Sequence, residues 1–284
     1  MKFFIKNVLI FFLLLVCLNS IVYIIYYRLD KNKYENYSLK YTSYLFGDSH
    51  GAALGQDINS YNIYNFSAGR DSYFDIERKI NFILEKQKID TIYLSVDDHC
   101  LSPYRETANN ITKSIFYCRP SDFNSIFEYF FFKHFKHYFT LFDSEIKVTI
   151  RKYLFSSMTK NKVSTVTNDW CTFSLSKRIA ESNKRFKDQF KDGTKSKKLT
   201  LSLLRIIHLC KSRKITLIGI KFPLAKEYLE VIGNKSYFAD CILRRKNIPV
   251  LDFKENTINY CSDFLNQDHL NYNGAKKLIK EIFN

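Results

Sequence analysis

The stretch after Lys6 and before Arg28, "NVLIFFLLLVCLNSIVYIIYY", carries no charge, and it restricts the fold more than any other part of the chain. Val8 to Tyr27 supplies the length of roughly 20 uncharged, mostly apolar residues that a helix rising 1.5 Å per residue needs to cross a bilayer. A cleavable signal has an apolar stretch of only about 7–15 residues closed by a small-residue cleavage site. Here the run continues through Ile21 to an aromatic end at Tyr26 and Tyr27. Residues 1–28 therefore read as an uncleaved transmembrane anchor. Cys17 follows Val16, where a lipoprotein signal needs a small residue, so it reads as a membrane residue. Lys2 and Lys6 on one side and Arg28, Lys31 and Lys33 on the other leave the orientation open under the positive-inside rule.

A polar segment, residues 29–39, reads as a linker. Beyond it, residues 40–284 alternate between two periodicities. "YTSYLF", "YNIYNFS", "DTIYLSV", "ITLIGIKFP" and "IPVLDF" are β-rich runs. Between and after them lie helical patterns: 71–86, "LTLSLLRIIHLCKS", 224–232 and "NGAKKLIKEIF". Strands alternating with helices imply a parallel sheet of about five strands, an α/β fold. The interval from about 105 to 195 breaks the rhythm and reads as a largely helical insertion. Its aromatic run, Phe127 to Phe142, is either a buried helix or a helix lying in the headgroup layer beside the anchor. Lys133, His134, Lys136 and His137 interrupt it, and two histidines without a nearby carboxylate are poor metal ligands.

With 44 Lys+Arg against 28 Asp+Glu, the net charge of +16 favours anionic partners. Nothing in the sequence forms a nucleic-acid module, so no nucleic-acid partner is expected. None of the seven cysteines forms a CxxC pair, and neither a metal nor another cofactor is expected. Disulfides or buried thiols are both open for the cysteines outside the anchor, the former if the domain lies outside the cytosol.

"YLFGDSHGAALG" ends the first strand at Gly47 and places Ser49 at the carboxyl edge of the sheet, where open α/β sheets bind ligands. A serine needs a base to remove its proton. His269 in "FLNQDHLNYNGAKKL" follows the last expected strand and returns to the same rim. Asp48 reads as a brace for the turn.

"FGDSH", "NFSAG", "YLSVDDH" and "DHLNYNGA", in this order after successive strands, resemble the blocks of the SGNH (GDSL-like) hydrolase superfamily. The resemblance covers Thr42 to about Arg105 and Ile215 to Asn284, but not the insertion. It implies a flavodoxin-like three-layer sandwich and ester chemistry, with Ser49 as nucleophile, His269 as base, and the N–H groups of Ser49 and Gly69 in the oxyanion hole. Two positions depart from the pattern. Asp97 stands where the family offers an asparagine donor to the oxyanion, and His99 or Asn65 are substitutes. Asn266 stands where the family has the aspartate that orients the histidine, and Asp268, Asp263 or a bare Ser–His dyad are the alternatives. His50, Asn65, Arg70, Asp98 and His99 are substrate-binding candidates, and Arg105 lies on the same expected rim.

The resemblance implies a single-pass protein of a bacterial inner membrane, its domain periplasmic or extracellular. Its expected activity is that of an esterase or O-acyltransferase on acetyl groups of a cell-surface or exported polysaccharide, with a membrane-bound acyl donor as a further partner. The two departures support another expectation, a glycan-binding or assembly protein that has lost catalysis.

Overall fold

The computed structural model describes residues 1–136, 146–148, 150–151, 153, 170–191, 193–255 and 261–283. The chain divides into two compact units, Met1–Asn36 with Thr112–Thr165, and Tyr37–Ile111 with Val166–Asn284. The interval read as one insertion is thus shared between them.

In the first unit, helix α1 (Lys2–Tyr26) is long and apolar enough to cross a membrane. It does not stop at a linker. A π-turn over Tyr27–Lys31 leads into a further helical turn, Asn32–Glu35. No glycine or proline interrupts residues 27–35, and Lys31 pairs with Glu35 one turn on at 3.7 Å, so nothing ends the helix where polarity begins.

The second unit is built on five parallel strands: β1 (Ser43–Phe46), β2 (Ile63–Asn65), β3 (Thr91–Ser95), β4 (Thr216–Lys221) and β5 (Val250–Asp252), in the order β2-β1-β3-β4-β5. Its helices are α2 (Ser49–Ala52), α3 (Tyr73–Leu84), α4 (Leu175–Gln189), α5 (Lys197–Ser212), α6 (Lys226–Ile232), α7 (Ala239–Arg244) and α8 (Tyr272–Phe283). A two-stranded ribbon, β6 (Phe264–Asn266) with β7 (His269–Leu270), precedes α8. The sequence reading missed α7 and this ribbon, both too short to show a period.

Helices cover both faces because each strand alternates its side chains. Phe46 stacks near Phe66 at 5.7 Å, and Phe66 lies under Lys79 of α3. α3 is closed at its start by a capping box between Ser72 and Asp75, and it buries Ile76, Ile80 and Ile83 at helical spacing. α5 lies beside it, with Ser202 bonded to the Tyr73 carbonyl at 2.9 Å and Arg205 paired with Glu77 at 2.6 Å. On the opposite face Leu45, Ile63 and Ile220 pack against Ala275, Leu278 and Ile279 of α8. The connections after β1 and β3 leave in opposite directions, opening a crevice at the carboxyl edge between them.

Candidate functional site

Small residues at the end of β1 have a steric cause. A Cβ on Gly47 would lie 3.0 Å from the Ser95 Cβ, and one on Gly51 would lie 2.5 Å from the Ser67 hydroxyl. The ends of β2 and β3 leave room there for backbone only. The chain turns at once into α2, with Asp48 as N-cap accepting the His50 N–H at 3.0 Å. Ser49, half-buried, is the first helical residue. Among the described residues neither its hydroxyl nor its N–H makes a hydrogen bond.

Gly69 flanks it, and a Cβ there would sit 3.9 Å from that of Ser49. The Gly69 carbonyl is fixed by the Asn110 amide at 2.7 Å, while its N–H, like that of Ser49, makes no bond among the described residues. Arg70 follows in a left-handed conformation, φ 72°, and is exposed.

His269 comes to this place on β7, its ring edge-on to His50 with centroids 5.1 Å apart. Its Nδ1 lies 2.8 Å from Asp268 Oδ1 and 2.9 Å from Asn266 Oδ1. Both neighbours are acceptors, so Nδ1 is the donor to them, which directs Nε2 away as the position for a lone pair in the tautomer they favour. Asn266 also accepts the backbone N–H groups of Asp268 and His269, at 3.1 and 3.0 Å, and so forms the turn. The carboxylate is supplied by Asp268. The remaining alternative, Asp263, is paired with Lys277 at 2.7 Å.

Asp268 is buried, and its Oδ2 accepts from Arg185 Nε at 2.6 Å and Gln189 Nε2 at 3.0 Å. His50 Nε2 is 3.5 Å from the same oxygen, within ion-pair range but outside hydrogen-bond geometry. Burial alone would raise the Asp268 carboxyl. The His269 hydrogen bond, the nearby His50 ring and the Arg185 charge outweigh it and hold it well below the usual range. Arg185 and Gln189 lie on α4, which the sequence reading left inside the insertion. Their signal was present: Ser174 caps the helix, and Leu175, Ile179, Ser182, Phe186 and Gln189 recur at helical spacing. The start of this segment is fastened by Trp170, which donates to Glu227 at 3.0 Å, and by a disulfide between Cys171 and Cys261.

Asp97, expected at an oxyanion position, is differently engaged. Its Oδ2 takes the His50 Nδ1 proton at 3.0 Å and the Ser95 hydroxyl at 2.8 Å, and its Oδ1 accepts the Phe222 N–H at 2.7 Å. Both oxygens serve the protein's own donors. Asn65, offered as a replacement donor, gives its amide hydrogens to the carbonyls of Gly51 and Gly55 at 2.8 Å each and so braces α2. His99 donates to Asp48 at 2.9 Å, and Arg105 lies 3.4 Å from the same carboxylate. Asp98 is paired with Lys221 at 2.8 Å and Lys254 at 2.9 Å. Of the substrate-binding candidates, His50, Asn65, Asp98 and His99 are therefore buried supports, and only Arg70 faces solvent. Arg105 is buried as well, where a surface rim was expected.

This buried layer is charged in a defined pattern. Burial opposes ionising His50, but the charges of Asp48 and Asp97 and the nearby Asp268 carboxylate outweigh it and raise His50 well above its ordinary value. Burial holds His99 below its ordinary value, and the His50 and Arg105 charges add to this against the pull of Asp48. Asp48 resists burial through His50, His99 and Arg105 and stays well below the carboxylate range.

The donor atoms of Asp48, His50 and Asp97, and of His50, Asp268 and His269, each lie within 4.8 Å of one another, a spacing that could hold a cation. In the first group Asp97 pairs with His50 Nδ1 and Asp48 accepts the His50 N–H, and in the second Asp268 pairs with His269, Arg185 and Gln189. Of the basic pair His134 and His137, the second lies outside the described residues, as does the end of the aromatic run. No protein-family model matches the chain, and no curated protein matches it.

Proposed function

We propose that the chain is a serine hydrolase or acyltransferase of the SGNH type, its sheet of the flavodoxin-like order 2-1-3-4-5. More particularly, we read it as a membrane-anchored esterase or O-acyltransferase acting on acetyl groups of a cell-surface or exported polysaccharide. The observation that carries the reading is the Asp268-held His269, edge-on to His50, the residue that follows Ser49, together with the N–H groups of Ser49 and Gly69, both unbonded among the described residues. The substrate class rests on the resemblance of the four motifs.

In this reading His269 Nε2 removes the Ser49 proton as Oγ attacks the acetyl carbonyl carbon. The tetrahedral oxyanion lies against the N–H groups of Ser49 and Gly69, each such donor being worth about 2.7–4 kcal/mol. As the intermediate collapses, the C–O bond to the sugar breaks and His269 returns the proton to the departing oxygen. The acetyl group on Ser49 then passes to water or to a second hydroxyl, with His269 again taking the proton of the incoming group. Asp268 keeps His269 in the required tautomer and offsets its charge. The Ser49 hydroxyl and His269 are not hydrogen-bonded to each other in the free protein, and such contacts commonly tighten only on substrate binding.

Two further observations agree with export. The anchor helix has the length to span a bilayer, and the Cys171–Cys261 disulfide suits an oxidising compartment outside the cytosol. The test is acetate release from an O-acetylated polysaccharide by the full chain in detergent. Ser49→Ala abolishes release with an unchanged melting curve if the reading holds, and unchanged release refutes it. Saturable glycan binding without acyl exchange would instead favour the non-catalytic binding protein.

A further inference from the structure

In the first unit, the helical turns from Ile126 to Phe135 have two unlike sides. Inward, Phe123 packs on Tyr129 and Phe132 with ring centroids 5.6 and 5.3 Å apart, and Lys133 lies over the rings of Phe116 and Tyr129. Outward, Ile126, Phe127, Phe130, Phe131 and Phe135 are 59%, 78%, 51%, 53% and 62% exposed. Those positions, i, i+1, i+4, i+5 and i+9, make one continuous stripe. The sequence left open whether this run is buried or interfacial, and for its described part the apolar face is outside. An apolar patch of this kind, flanked by lysines, marks a surface with a partner.

The same unit indicates which partner. The stretch that precedes the segment, joined to it by Lys133 over the Phe116 ring, is fixed to the polar end of the anchor helix: Lys113 pairs with Asp30 at 2.5 Å, Tyr117 donates to the Tyr34 carbonyl at 2.5 Å, and the Tyr34 and Tyr117 rings lie 5.9 Å apart. A cavity of about 360 Å³ is lined by Tyr23, Tyr27, Lys31 and Glu35 from that helix and by Lys133 and His134 from the aromatic one. Tyr23 and Tyr27 end the uncharged run, and Lys31 and Glu35 are the charged turns beyond it. This is the depth at which a bilayer passes from acyl chain to headgroup, where amphipathic aromatic helices bind.

We infer that Ile126–Phe135 is a second membrane element, lying in the headgroup layer with its phenylalanines in the acyl boundary, so that the chain holds the bilayer by one spanning and one interfacial helix. The inference rests on the anchor reading and is independent of the catalytic one. The occupant is the lipid bilayer itself, a choice made by the segment's place against the Tyr23–Glu35 end of the anchor helix, with which it lines one cavity.

The experiment incorporates the photo-crosslinker p-benzoylphenylalanine, one position at a time, into the full chain in phospholipid nanodiscs, followed by intact mass. Leu14 reports the anchor, Phe127 and Phe131 the stripe, and Phe238, an exposed phenylalanine of the sheet unit, the solvent background. The expected result is phospholipid adducts at Phe127 and Phe131 in yields comparable to Leu14, with background at Phe238. Adducts at Leu14 with only background at Phe127 and Phe131 overturn the interfacial helix while keeping the anchor. Absence of adducts at Leu14 overturns the anchor reading itself. Adducts of Phe131 to a second protein chain replace the bilayer with a protein partner and overturn the inference.

Discussion

Replacing Asp268 by asparagine preserves shape and removes one charge at the point where the site departs from the motif pattern. Asp268 Oδ1 is 2.8 Å from His269 Nδ1 in a buried setting. A unit charge at contact distance in a medium of effective dielectric about 20 is worth about 4 kcal/mol. At 1.36 kcal/mol per decade that is about a thousandfold in rate, and a full triad stripped of this charge loses about 10⁴ in kcat. Arg185 and His50 draw on the same carboxylate from its other oxygen, which moves the expectation toward the lower figure. Asp268→Asn should therefore lower kcat for acetate release by about 10³ to 10⁴ with little change in KM. Asn266→Ala loses turn hydrogen bonds of about 1 kcal/mol each and should cost about tenfold. The assay is steady-state release of acetate by the full chain, with thermal unfolding run on both variants, because Asp268→Asn also leaves Arg185 without its partner. The reasoning is refuted if Asp268→Asn stays within tenfold of the parent while Asn266→Ala loses the thousandfold.

Three further outcomes concern stability. Cys171 and Cys261 are 90 residues apart in sequence, so removing the bond as Cys171→Ser with Cys261→Ser should cost about 4–5 kcal/mol by chain entropy; urea unfolding would show this as a lower midpoint, reproduced by reductant on the parent chain. Asp48 and Asp268 are depressed when folded, so their stabilisation is present above the unfolded carboxyl value of about 4 and is lost as pH falls through the lower folded values. His50 is raised, so its contribution is complete below about pH 6.5 and is lost as pH rises through its folded value. Urea midpoints across pH 2.5–9 should fall at both ends, and a flat acid limb contradicts the carboxylate assignment. A methyl at Gly274 would run into the Asp263 carbonyl, so Gly274→Ala should cost about 1–3 kcal/mol, whereas Gly193→Ala, whose Cβ meets nothing within 4 Å, should be near neutral in the same unfolding assay.

The five strands were legible because each is a short β-branched or aromatic run bounded by turn residues, and the parallel order followed from the helices between them. Ser49 and His269 were legible as polar residues that separate parts of the chain bring to one edge of the sheet. The carboxylate was less so: Asn266 and Asp268 both lie near His269 in sequence, and only the turn geometry gives the one the backbone and the other the ring. Arg185 and Gln189 were hidden because α4 is nearly half charged and buries few of its residues, so its weak periodicity resembles the rest of the insertion. His50, Asp97, Asp98 and His99 look like surface site residues in sequence because they are polar and clustered. Three-dimensional pairing buries each of them against an opposite charge, and no one-dimensional pattern contains that information. The helical turns after Tyr26 were misread for the opposite reason, since polarity resembles a linker although nothing in residues 27–35 breaks a helix.

The central claim is that Ser49 is a nucleophile activated by His269. It is tested most directly by treating the full chain in detergent with an active-serine fluorophosphonate and reading the intact mass beside Ser49→Ala and His269→Ala. A single adduct on the parent chain, absent from Ser49→Ala and strongly slowed in His269→Ala, is the expected result. A folded parent chain that takes no adduct, or a Ser49→Ala form that labels as the parent does, contradicts the account.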